Sequence, residues 1–284
     1  MSDVTMRAAG VEAFGEPLRE LSVSVPAPRP GEVLIRVGAA AVNPADLGMV
    51  AGRYRWADPV RFPLIPGYDV AGWRADTGEP VVAFTLHKAT QRGGYAPFVS
   101  LPEDLVVPLP ATADITEAAA LPLAGLTALQ SLDALGPEVR TLLVNGPRGA
   151  VGGFAARLAA ARGLTVVDDD SSPVDAALDV IGGAAAQAAF DRVRDGGRYV
   201  TVVPEFWVPG GPFTAARGID PQVISVGYDR ASLLALVRHH AEGTLRPRIG
   251  TVLPLSAAAE AHRIAGRAPG AARISGKVVL APDL

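Results

Sequence analysis

Apolar and polar residues alternate in short runs over the first third of the chain. Residues 31–42, GEVLIRVGAAAV, combine this alternation with β-branched side chains and follow a PRPG turn, so they predict a strand. Residues 53–72 contain prolines that exclude a long helix, and shorter apolar runs follow at 81–84 and 95–101. This part is therefore predicted to be an irregular, mostly β domain.

From residue 114 onward, helical patterns alternate with short buried runs, which predicts a parallel, doubly wound sheet. The first helix, 114–135, has Asp114 or Thr116 as its N-cap and is broken at Pro122. After Pro254 the chain closes with one more helix and strand. The predicted strands are 141–146, 165–167, 176–182, 198–203, 224–228 and 276–282, and the other helices are 151–163, 184–197, 230–243 and 256–266.

Length and composition bound the class of protein. The 284 residues are 49% hydrophobic and 19% charged, which indicates a globular chain of about two domains. The net charge of −3 comes without a run of Lys or Arg, so nucleic-acid binding is not expected. Cysteine is absent, which excludes disulfides, Fe–S clusters and thiolate zinc sites. With no targeting or membrane-spanning segment evident, we expect a cytoplasmic protein.

A glycine-rich turn, NGPRGAVGG, lies between a predicted strand and a predicted helix. Glycines allow a tight turn and a close approach of backbone amides to a diphosphate, and the helix N-terminus adds partial positive charge. The alternative is a structural turn that binds nothing. The predicted cofactor-binding residues of the turn are Gly146, Arg148, Gly149, Ala150, Val151 and Gly152.

Asp168 follows the next predicted strand, 19 positions after Gly149. An acid at this distance is the usual partner of the adenosine ribose in a dinucleotide site, where its charge favours NAD over NADP. Asp169 and Asp170 are adjacent, so the register is open, and a solvated turn is the alternative interpretation.

Several motifs together resemble the quinone oxidoreductase branch of the medium-chain dehydrogenase/reductase superfamily. They occur in the order of that family and cover nearly the whole chain. The matching runs are RPGEVLIRVGAAAVNPAD (29–46), PLIPGYDVAG (63–72), RGGYAPFVSLPEDLVVPLP (92–110), EAAALPLAGLTALQSL (117–132), LLVNGPRGAVGGFAARLAAARG (142–163), VDAALDVIGG (174–183), RDGGRYVTV (194–202) and SGKVVL (275–280).

The resemblance implies an α/β protein with a GroES-like β domain and an inserted Rossmann domain. The expected limits are 1–113 for the GroES-like catalytic domain and 114–253 for the nucleotide-binding domain. Residues 254–284 return to the first domain. The resemblance places NADPH or NADH in the cleft between the domains, with Gly182, Gly183 and Val202 on the nicotinamide side.

The resemblance also assigns catalytic candidates. Asn43 and Tyr54 border the nicotinamide or the substrate, and Thr127 approaches the nicotinamide. A neutral donor stabilises the negative charge that develops on oxygen during enone reduction. Alternatively, Asn43 forms a turn with Pro44 and Tyr54 is a packed rim residue, while Asp46 is expected to cap the following helix. A position that is aromatic near the substrate in this branch is Gly48 here.

Zinc ligands of the superfamily are missing from the matching positions. Zinc-dependent relatives carry cysteine where this chain has Asn43 and histidine where it has Tyr68. The four histidines show no metal-ligand spacing. No metal site is therefore expected, which favours hydride transfer to a quinone or an activated C=C over alcohol oxidation.

The Rossmann part is shorter than the family pattern. Only DDDSSP separates Val167 from Val174, too little for a parallel crossover with its helix. A helix and an edge strand on the adenosine side are therefore predicted to be missing.

Three functions remain open from the sequence. The first is an NAD(P)H-dependent, zinc-independent quinone or enone reductase, with cofactor affinity weakened or altered by the shortened domain. The second is a cofactor-free cyclisation, elimination or isomerisation, and the third is a non-catalytic binding scaffold. A small-molecule substrate is expected. A homodimer is expected as well, because residues 224–228 form an apolar candidate edge strand.

Overall fold

The computed structural model describes residues 4–54, 56, 58–167, 173–203 and 215–282. The chain forms two compact units: unit 1 comprises Met1–Leu123 with Leu233–Leu284, and unit 2 comprises Ala124–Ser232. Unit 1 is therefore built from both ends of the chain. The domain limits predicted from the sequence, 113/114 and 253/254, differ from these contact-based limits and stay a prediction.

Strands and helices are numbered in chain order. The strands are β1 (Thr5–Gly10), β2 (Arg19–Ser24), β3 (Glu32–Ala41), β4 (Asp69–Arg74), β5 (Pro80–Phe84), β6 (Phe98–Pro102), β7 (Val106–Pro108), β8 (Thr141–Asn145), β9 (Thr165–Val167), β10 (Val174–Asp179), β11 (Val193–Thr201), β12 (Gln222–Val223), β13 (Ile249–Pro254) and β14 (Lys277–Ala281). The helices are α1 (Pro44–Val50), α2 (His87–Thr90), α3 (Ile115–Ala119), α4 (Pro122–Asp133), α5 (Ala150–Ala161), α6 (Gly183–Asp191), α7 (Arg230–Ala241) and α8 (Ala258–Ala265).

A seven-stranded sheet forms the centre of unit 1, in the order β13-β14-β3-β4-β5-β7, with β6 also paired to β3. The alternation predicted for β3 is confirmed, because Val33, Ile35 and Val37 are buried while Arg36 is exposed. β14, from the end of the chain, pairs antiparallel with β3. This sheet carries the residues that surround Asn43.

Unit 2 contains a parallel five-stranded sheet in the order β12-β11-β10-β8-β9. α6 packs on this sheet through Ala186, Ala189 and Phe190, which contact Ala177 and Tyr199. Strand, helix and parallel strand alternate because a parallel connection must return the chain across the face of the sheet. The α/β fold class predicted from the sequence is confirmed.

The pairing around β8 explains how a six-residue link suffices between β9 and β10. The two strands lie on opposite sides of β8: Val167 is level with Leu143 and Ala177 is level with the same residue. The link must cross two strand spacings of about 4.8 Å each and run back about 10 Å along the strands, and from Val167 to Val174 the chain reaches about 25 Å at full extension. β9 is the last strand in the order of this sheet and so an edge strand.

Two predicted elements are wrong in position. Residues 224–228 are not a strand; the edge strand β12 is Gln222–Val223. The helix predicted over 184–197 ends at Asp191, and β11 already begins at Val193. β11 has a register shift opposite Val174 and Ala176, with Gly196 at φ +68°, so the RDGGR run forms a bulge within the strand instead of a helix end.

The helix break at Pro122 is confirmed, since α3 and α4 are separate helices. Asp114 is the N-cap of α3, and its carboxylate accepts a hydrogen bond from the Glu117 N–H. None of the helices in the described part of the chain is long and apolar enough to cross a bilayer.

Candidate functional site

The turn between β8 and α5 has the local geometry that a diphosphate site requires. β8 ends at Asn145, Gly146 has a φ of +103°, and α5 begins at Ala150 after the N-cap Gly149. A positive φ is strained for residues with a Cβ, so glycine at 146 lets the chain turn sharply from strand to helix. The predicted strand, turn and helix are confirmed.

The other two glycines of the turn differ in what surrounds them. A Cβ at Gly152 would lie 2.2 Å from the carbonyl oxygen of Gly146, so glycine there lets α5 pack closely on the turn. A Cβ at Gly149 would have that same oxygen, at 3.4 Å, as its one neighbour within 4 Å among the described residues. Gly149 therefore leaves room for a ligand.

The first turn of α5 presents amides to that space. The first intrahelical bond has the Gly149 carbonyl as its acceptor, at 2.8 Å. The N–H groups of Ala150, Val151 and Gly152 come before it and have no intrahelical partner. Gly149 supplies no side chain to cap them, and Arg148 is exposed beside them. Amides, helix dipole and guanidinium together fit a diphosphate.

A buried carboxylate ties together the carboxyl ends of three neighbouring strands. Asp179, at the end of β10, accepts hydrogen bonds from Asn145 Nδ2 (2.7 Å) and Thr201 Oγ1 (3.0 Å), which end β8 and β11. It also accepts from the N–H groups of Ile181 (3.0 Å) and Gly182 (3.1 Å). The sequence analysis missed Asp179. The available signal was the single acid of the otherwise apolar strand predicted over 176–182, where an unpaired buried charge is costly.

The loop after β10 lies directly against the glycine turn. Gly182 and Gly183 have φ values of +78° and +62°, and Gly182 is the N-cap of α6. A Cβ at Gly146 would lie 2.6 Å from a methyl group of Val180, so the two loops touch. The Val202 N–H donates to the β10 backbone at 3.1 Å. The structure thus brings these predicted residues to one edge of the sheet, while their contact with nicotinamide stays a prediction.

Asp168, the predicted partner of the adenosine ribose, lies outside the described residues, as do Asp169 and Asp170. The strand that precedes them, β9, ends at Val167. The role of Asp168 therefore stays a prediction.

Asn43 is buried, with 1% of its surface exposed, and serves as the N-cap of α1. Its Nδ2 donates to Asp69 Oδ2 at 2.9 Å and to the Ala41 carbonyl at 3.3 Å, so both amide hydrogens are engaged. Its N–H donates to Asp46 Oδ2 at 2.8 Å, within the first turn of α1. These contacts give Asn43 a structural role at the start of α1, although as an N-cap and not as the turn with Pro44 offered as the alternative. The catalytic role stays a prediction and would require a substrate to replace Asp69 or Ala41 at Nδ2.

A buried lysine completes this cluster. Lys277, at the start of β14, donates to Asn43 Oδ1 and lies 3.9 Å from Asp69 Oδ2. Asp46 Oδ1 accepts hydrogen bonds from the backbone N–H groups of residues 67 and 68, at 3.1 and 3.0 Å. We call Asn43, Asp46, Asp69 and Lys277 the buried polar cluster. Sequence analysis missed Lys277, because 234 residues separate it from Asn43.

Burial and the lysine act in opposite directions on the carboxyl groups of the buried polar cluster. Burial raises the pKa of Asp46 to about 7 and that of Asp69 to about 6, and the positive charge of Lys277 lowers both. Burial lowers the pKa of Lys277, and the two carboxylates oppose that shift. Each charge in the cluster therefore depends on the others for its compensation.

Tyr54 and Thr127 have different surroundings. Tyr54 is half-buried, and its hydroxyl oxygen lies 2.7 Å from the place where a Cβ of Gly48 would be. Tyr54 therefore fills the space that a side chain at position 48 would need. Lys88 Nζ lies 4.6 Å from the centre of the Tyr54 ring. Thr127 is a buried residue of α4, and its carbonyl accepts a hydrogen bond from Ser131 Oγ at 2.7 Å.

An aromatic group that the sequence analysis did not assemble lies near the end of β5. The His87 ring is 5.9 Å from the rings of both Trp56 and Tyr68. His87 Nε2 lies 2.6 Å from the Ile65 carbonyl, so it carries the proton and donates, which leaves Nδ1 as an acceptor. In the described part of the chain, His87 Nδ1 and Trp56 Nε1 are buried without a hydrogen-bond partner. One free acceptor and one free donor thus face an aromatic environment.

Acid is expected to destabilise unit 1 through His87. Burial lowers the pKa of this imidazole from 6.5 to about 4. The unfolded chain therefore binds a proton that the folded chain excludes, and stability present above pH 6.5 is lost as the pH falls toward 4. Relative to His87→Gln, whose side-chain amide still donates to Ile65, the wild type should lose about 3 kcal/mol of unfolding free energy between pH 7 and pH 4.

Urea unfolding followed by tryptophan fluorescence at several pH values measures this difference. A difference between wild type and variant that stays constant from pH 7 to pH 4 would contradict the assignment of His87 as a buried neutral histidine.

Two family models match the chain in sequence order. Residues 29–111 match the alcohol dehydrogenase GroES-like domain, and residues 156–280 match the zinc-binding dehydrogenase family. The chain belongs to the medium-chain dehydrogenase/reductase superfamily. The resemblance found in the sequence motifs is thereby confirmed.

Curated relatives in the superfamily include quinone oxidoreductases. A chloroplastic quinone-oxidoreductase homolog of Spinacia oleracea is 35% identical over 179 residues, which are 56% of this chain and 54% of the relative. The quinone oxidoreductase of Lama guanicoe is 29% identical over 97% of both chains. A 2-methylene-furan-3-one reductase of Solanum lycopersicum is 35% identical over 49% of this chain and 39% of the relative. The chain spans about half the length of the first curated relatives it matches.

Solved structures from the superfamily share the fold over nearly the whole chain. A thermostable alcohol dehydrogenase from Pyrobaculum aerophilum has a TM-score of 0.81 and 27% identity, covering 98% of this chain and 100% of that one. The quinone oxidoreductase of Coxiella burnetii has a TM-score of 0.81 at 24% identity over 98% of this chain and 99% of that one, and supports the fold alone.

The catalytic zinc site of other superfamily members does not fit the residues of this chain. Where those proteins carry a cysteine, Asn43 bonds to Asp69 and accepts from the ammonium group of Lys277, so a cation of the protein already occupies this place. Among the described residues, no three His, Cys, Asp or Glu side chains lie close enough together to hold a metal ion. No step of the chemistry is therefore assigned to zinc.

Proposed function

We propose that the chain is a zinc-independent NAD(P)H-dependent oxidoreductase that reduces a quinone or an activated C=C of a small molecule. The observation that carries the proposal is the strand–turn–helix at Gly146–Gly152, where the α5 amides have no partner within the helix and a Cβ at Gly149 would meet only the Gly146 carbonyl oxygen within 4 Å among the described residues. Superfamily membership and relatives named as quinone oxidoreductases and an enone reductase support the same reaction class.

The groups around the glycine turn have defined tasks under this proposal. The amides of Ala150, Val151 and Gly152 bind the cofactor diphosphate, and Arg148 adds a charge-assisted contact. A reduced nicotinamide, when bound, supplies a hydride. Asp179 holds Ile181 and Gly182 in place at the adjacent loop, which keeps the edge of the sheet preorganised.

Under this proposal, a small substrate with a polar substituent would bind beside the aromatic group of unit 1. Trp56 Nε1 and His87 Nδ1 offer a donor and an acceptor that do not ionise near neutral pH, since burial lowers the His87 pKa to about 4. A neutral N–H donor stabilises charge that develops on a carbonyl oxygen without being titrated by it. Neither a cofactor-free reaction nor a non-catalytic scaffold has a comparable observation in its favour.

Gly149→Asp tests the proposal by separating stability from binding. Aspartate is a preferred N-cap residue and φ at this position is −77°, so the variant should be as stable as the wild type or more stable. Its carboxylate would accept hydrogen bonds from the α5 amides and would repel a diphosphate. The Kd for NADH should therefore rise by about 100-fold, equivalent to about 2.7 kcal/mol.

Fluorescence titration with NADH and thermal melting measure the two effects. Gly227→Asp is the matched control, because a Cβ there meets no atom of the described residues within 4 Å, compared with a single atom at 3.4 Å for Gly149, and its φ is not positive either. Unchanged NADH affinity in Gly149→Asp, or equal loss in both variants, would contradict a cofactor site at α5.

A further inference from the structure

One side of the unit 2 sheet ends immediately beside the glycine turn. β9 is the edge strand, has three residues, and pairs only with β8 among the described strands. Its residues Thr165, Val166 and Val167 are exposed or half-buried, unlike the fully buried Ala176 and Ala177 of β10. Among the described residues, the sheet therefore has very little chain on the β9 side of the turn.

A doubly wound dinucleotide fold is built from two halves, each a strand–helix–strand–helix–strand unit that holds one nucleotide. The half that begins with β8 consists here of β8, α5 and β9 alone. The six residues between Val167 and Val174 lead directly to β10, the first strand of the other half, and they are too few for a further helix and strand. The adenosine-side half therefore lacks its second helix and its third strand.

The other half keeps all three of its strands, around Asp179. Its three strands β10, β11 and β12 pair in parallel, with α6 between the first two, and Asp179 joins the ends of β8, β10 and β11 through hydrogen bonds of 2.7–3.1 Å. The α5 amides lie between the two halves, at the point where the strand order reverses. The protein thus retains groups for a phosphate and for the nucleotide next to the β10 loop.

From this asymmetry we infer that the site recognises the nicotinamide mononucleotide half of the cofactor and gains little from adenosine. The inference rests on the proposed function. Reduced nicotinamide mononucleotide is then expected to bind this chain with an affinity close to that of NADH or NADPH. Binding energy from a remote part of a ligand requires protein surface around that part, and the elements that normally supply it on the adenosine side are missing.

Parallel titrations of the full chain with reduced nicotinamide mononucleotide, NADH and NADPH test this, with dihydronicotinamide fluorescence as the readout. The Kd of the mononucleotide should lie within about tenfold of that of either dinucleotide, a difference of about 1.4 kcal/mol or less. AMP, which carries the adenosine half alone, should leave bound NADH in place at millimolar concentration.

Two results would overturn the inference while leaving the proposed function intact: a dinucleotide that binds more than about 100-fold more tightly than the mononucleotide, or displacement of NADH by AMP. If none of the three dihydronicotinamides binds, the proposed function itself fails. Gly149→Asp should weaken the binding of the mononucleotide as it weakens that of NADH, because both present a phosphate to the same amides. Unchanged affinity for the mononucleotide would show that it binds at a different site and would contradict the inference.

Discussion

Replacement of Lys277 by methionine is expected to lower the free energy of unfolding by about 3–5 kcal/mol, because it leaves two buried carboxyl groups without their cation. Lys277 donates to Asn43 and lies 3.9 Å from Asp69, and burial already raises the pKa values of Asp69 and Asp46 to about 6 and 7. Methionine has a similar length, so the substitution removes charge and hydrogen bonds while keeping most of the packing.

The loss in Lys277→Met should grow with pH. Without the lysine, the folded pKa values of both carboxyl groups rise further above their unfolded values. Such groups contribute stability when protonated and lose it as the pH rises through the folded pKa. The difference from wild type should therefore be larger at pH 8 than at pH 5, as measured by urea unfolding at each pH.

The chain contains one other lysine, which provides a matched control. Lys88 is exposed and lies over the Tyr54 ring, so Lys88→Met should cost less than about 1 kcal/mol. Equal losses in the two variants, or a loss in Lys277→Met that is independent of pH, would refute the account of the buried polar cluster.

Replacement of Asp179 should damage unit 2 and NADH binding together. In Asp179→Leu, Asn145 Nδ2, Thr201 Oγ1 and two backbone N–H groups lose a buried acceptor, at a cost of about 4 kcal/mol or a fall in Tm of about 10 °C. Ile181 is then no longer held against Gly146, so the Kd for NADH should rise about tenfold or more.

Asp179→Asn provides the graded comparison, because its amide oxygen keeps part of the acceptor set. The expected order of Tm and of NADH affinity is wild type, Asp179→Asn, Asp179→Leu. Asp191→Asn, at the exposed end of α6, should change stability by less than about 0.5 kcal/mol. Circular dichroism melting and NADH titration give both quantities. Wild-type affinity in a destabilised Asp179→Asn protein would show that Asp179 does not position the loop.

Features that depend on neighbouring residues were predictable from the sequence. The glycine turn at Gly146–Gly152, the helix break at Pro122 and the Asp114 cap are each encoded within a few residues. The shortened link after Val167 was likewise read from chain length, because a crossover helix needs more residues than are present. The limits of β11 were not predictable, since RDGGR is typical of a helix end and the bulge depends on pairing with β10.

Features that depend on distant partners were not predictable. Asp179 reads as part of an apolar strand, and its partners Asn145 and Thr201 lie 34 and 22 residues away. Asn43 carries a family motif that suggests chemistry, and only its contacts with Asp69 and Lys277 show how fully its side chain is engaged. The partners of His87 and Trp56 likewise lie in separate segments, so their unpaired atoms have no local sequence pattern.

The position of β14 in the unit 1 sheet determines when that unit can fold during synthesis. β14 pairs with β3 and places Lys277 beside Asn43. After Asn43 has been synthesised, 234 further residues must follow before Lys277 can complete the sheet and compensate the buried carboxylates. At about 5–20 residues per second, ribosomes need roughly 10–50 s for that stretch. During this interval the nascent chain can complete unit 2 while strand edges of unit 1 remain available to chaperones.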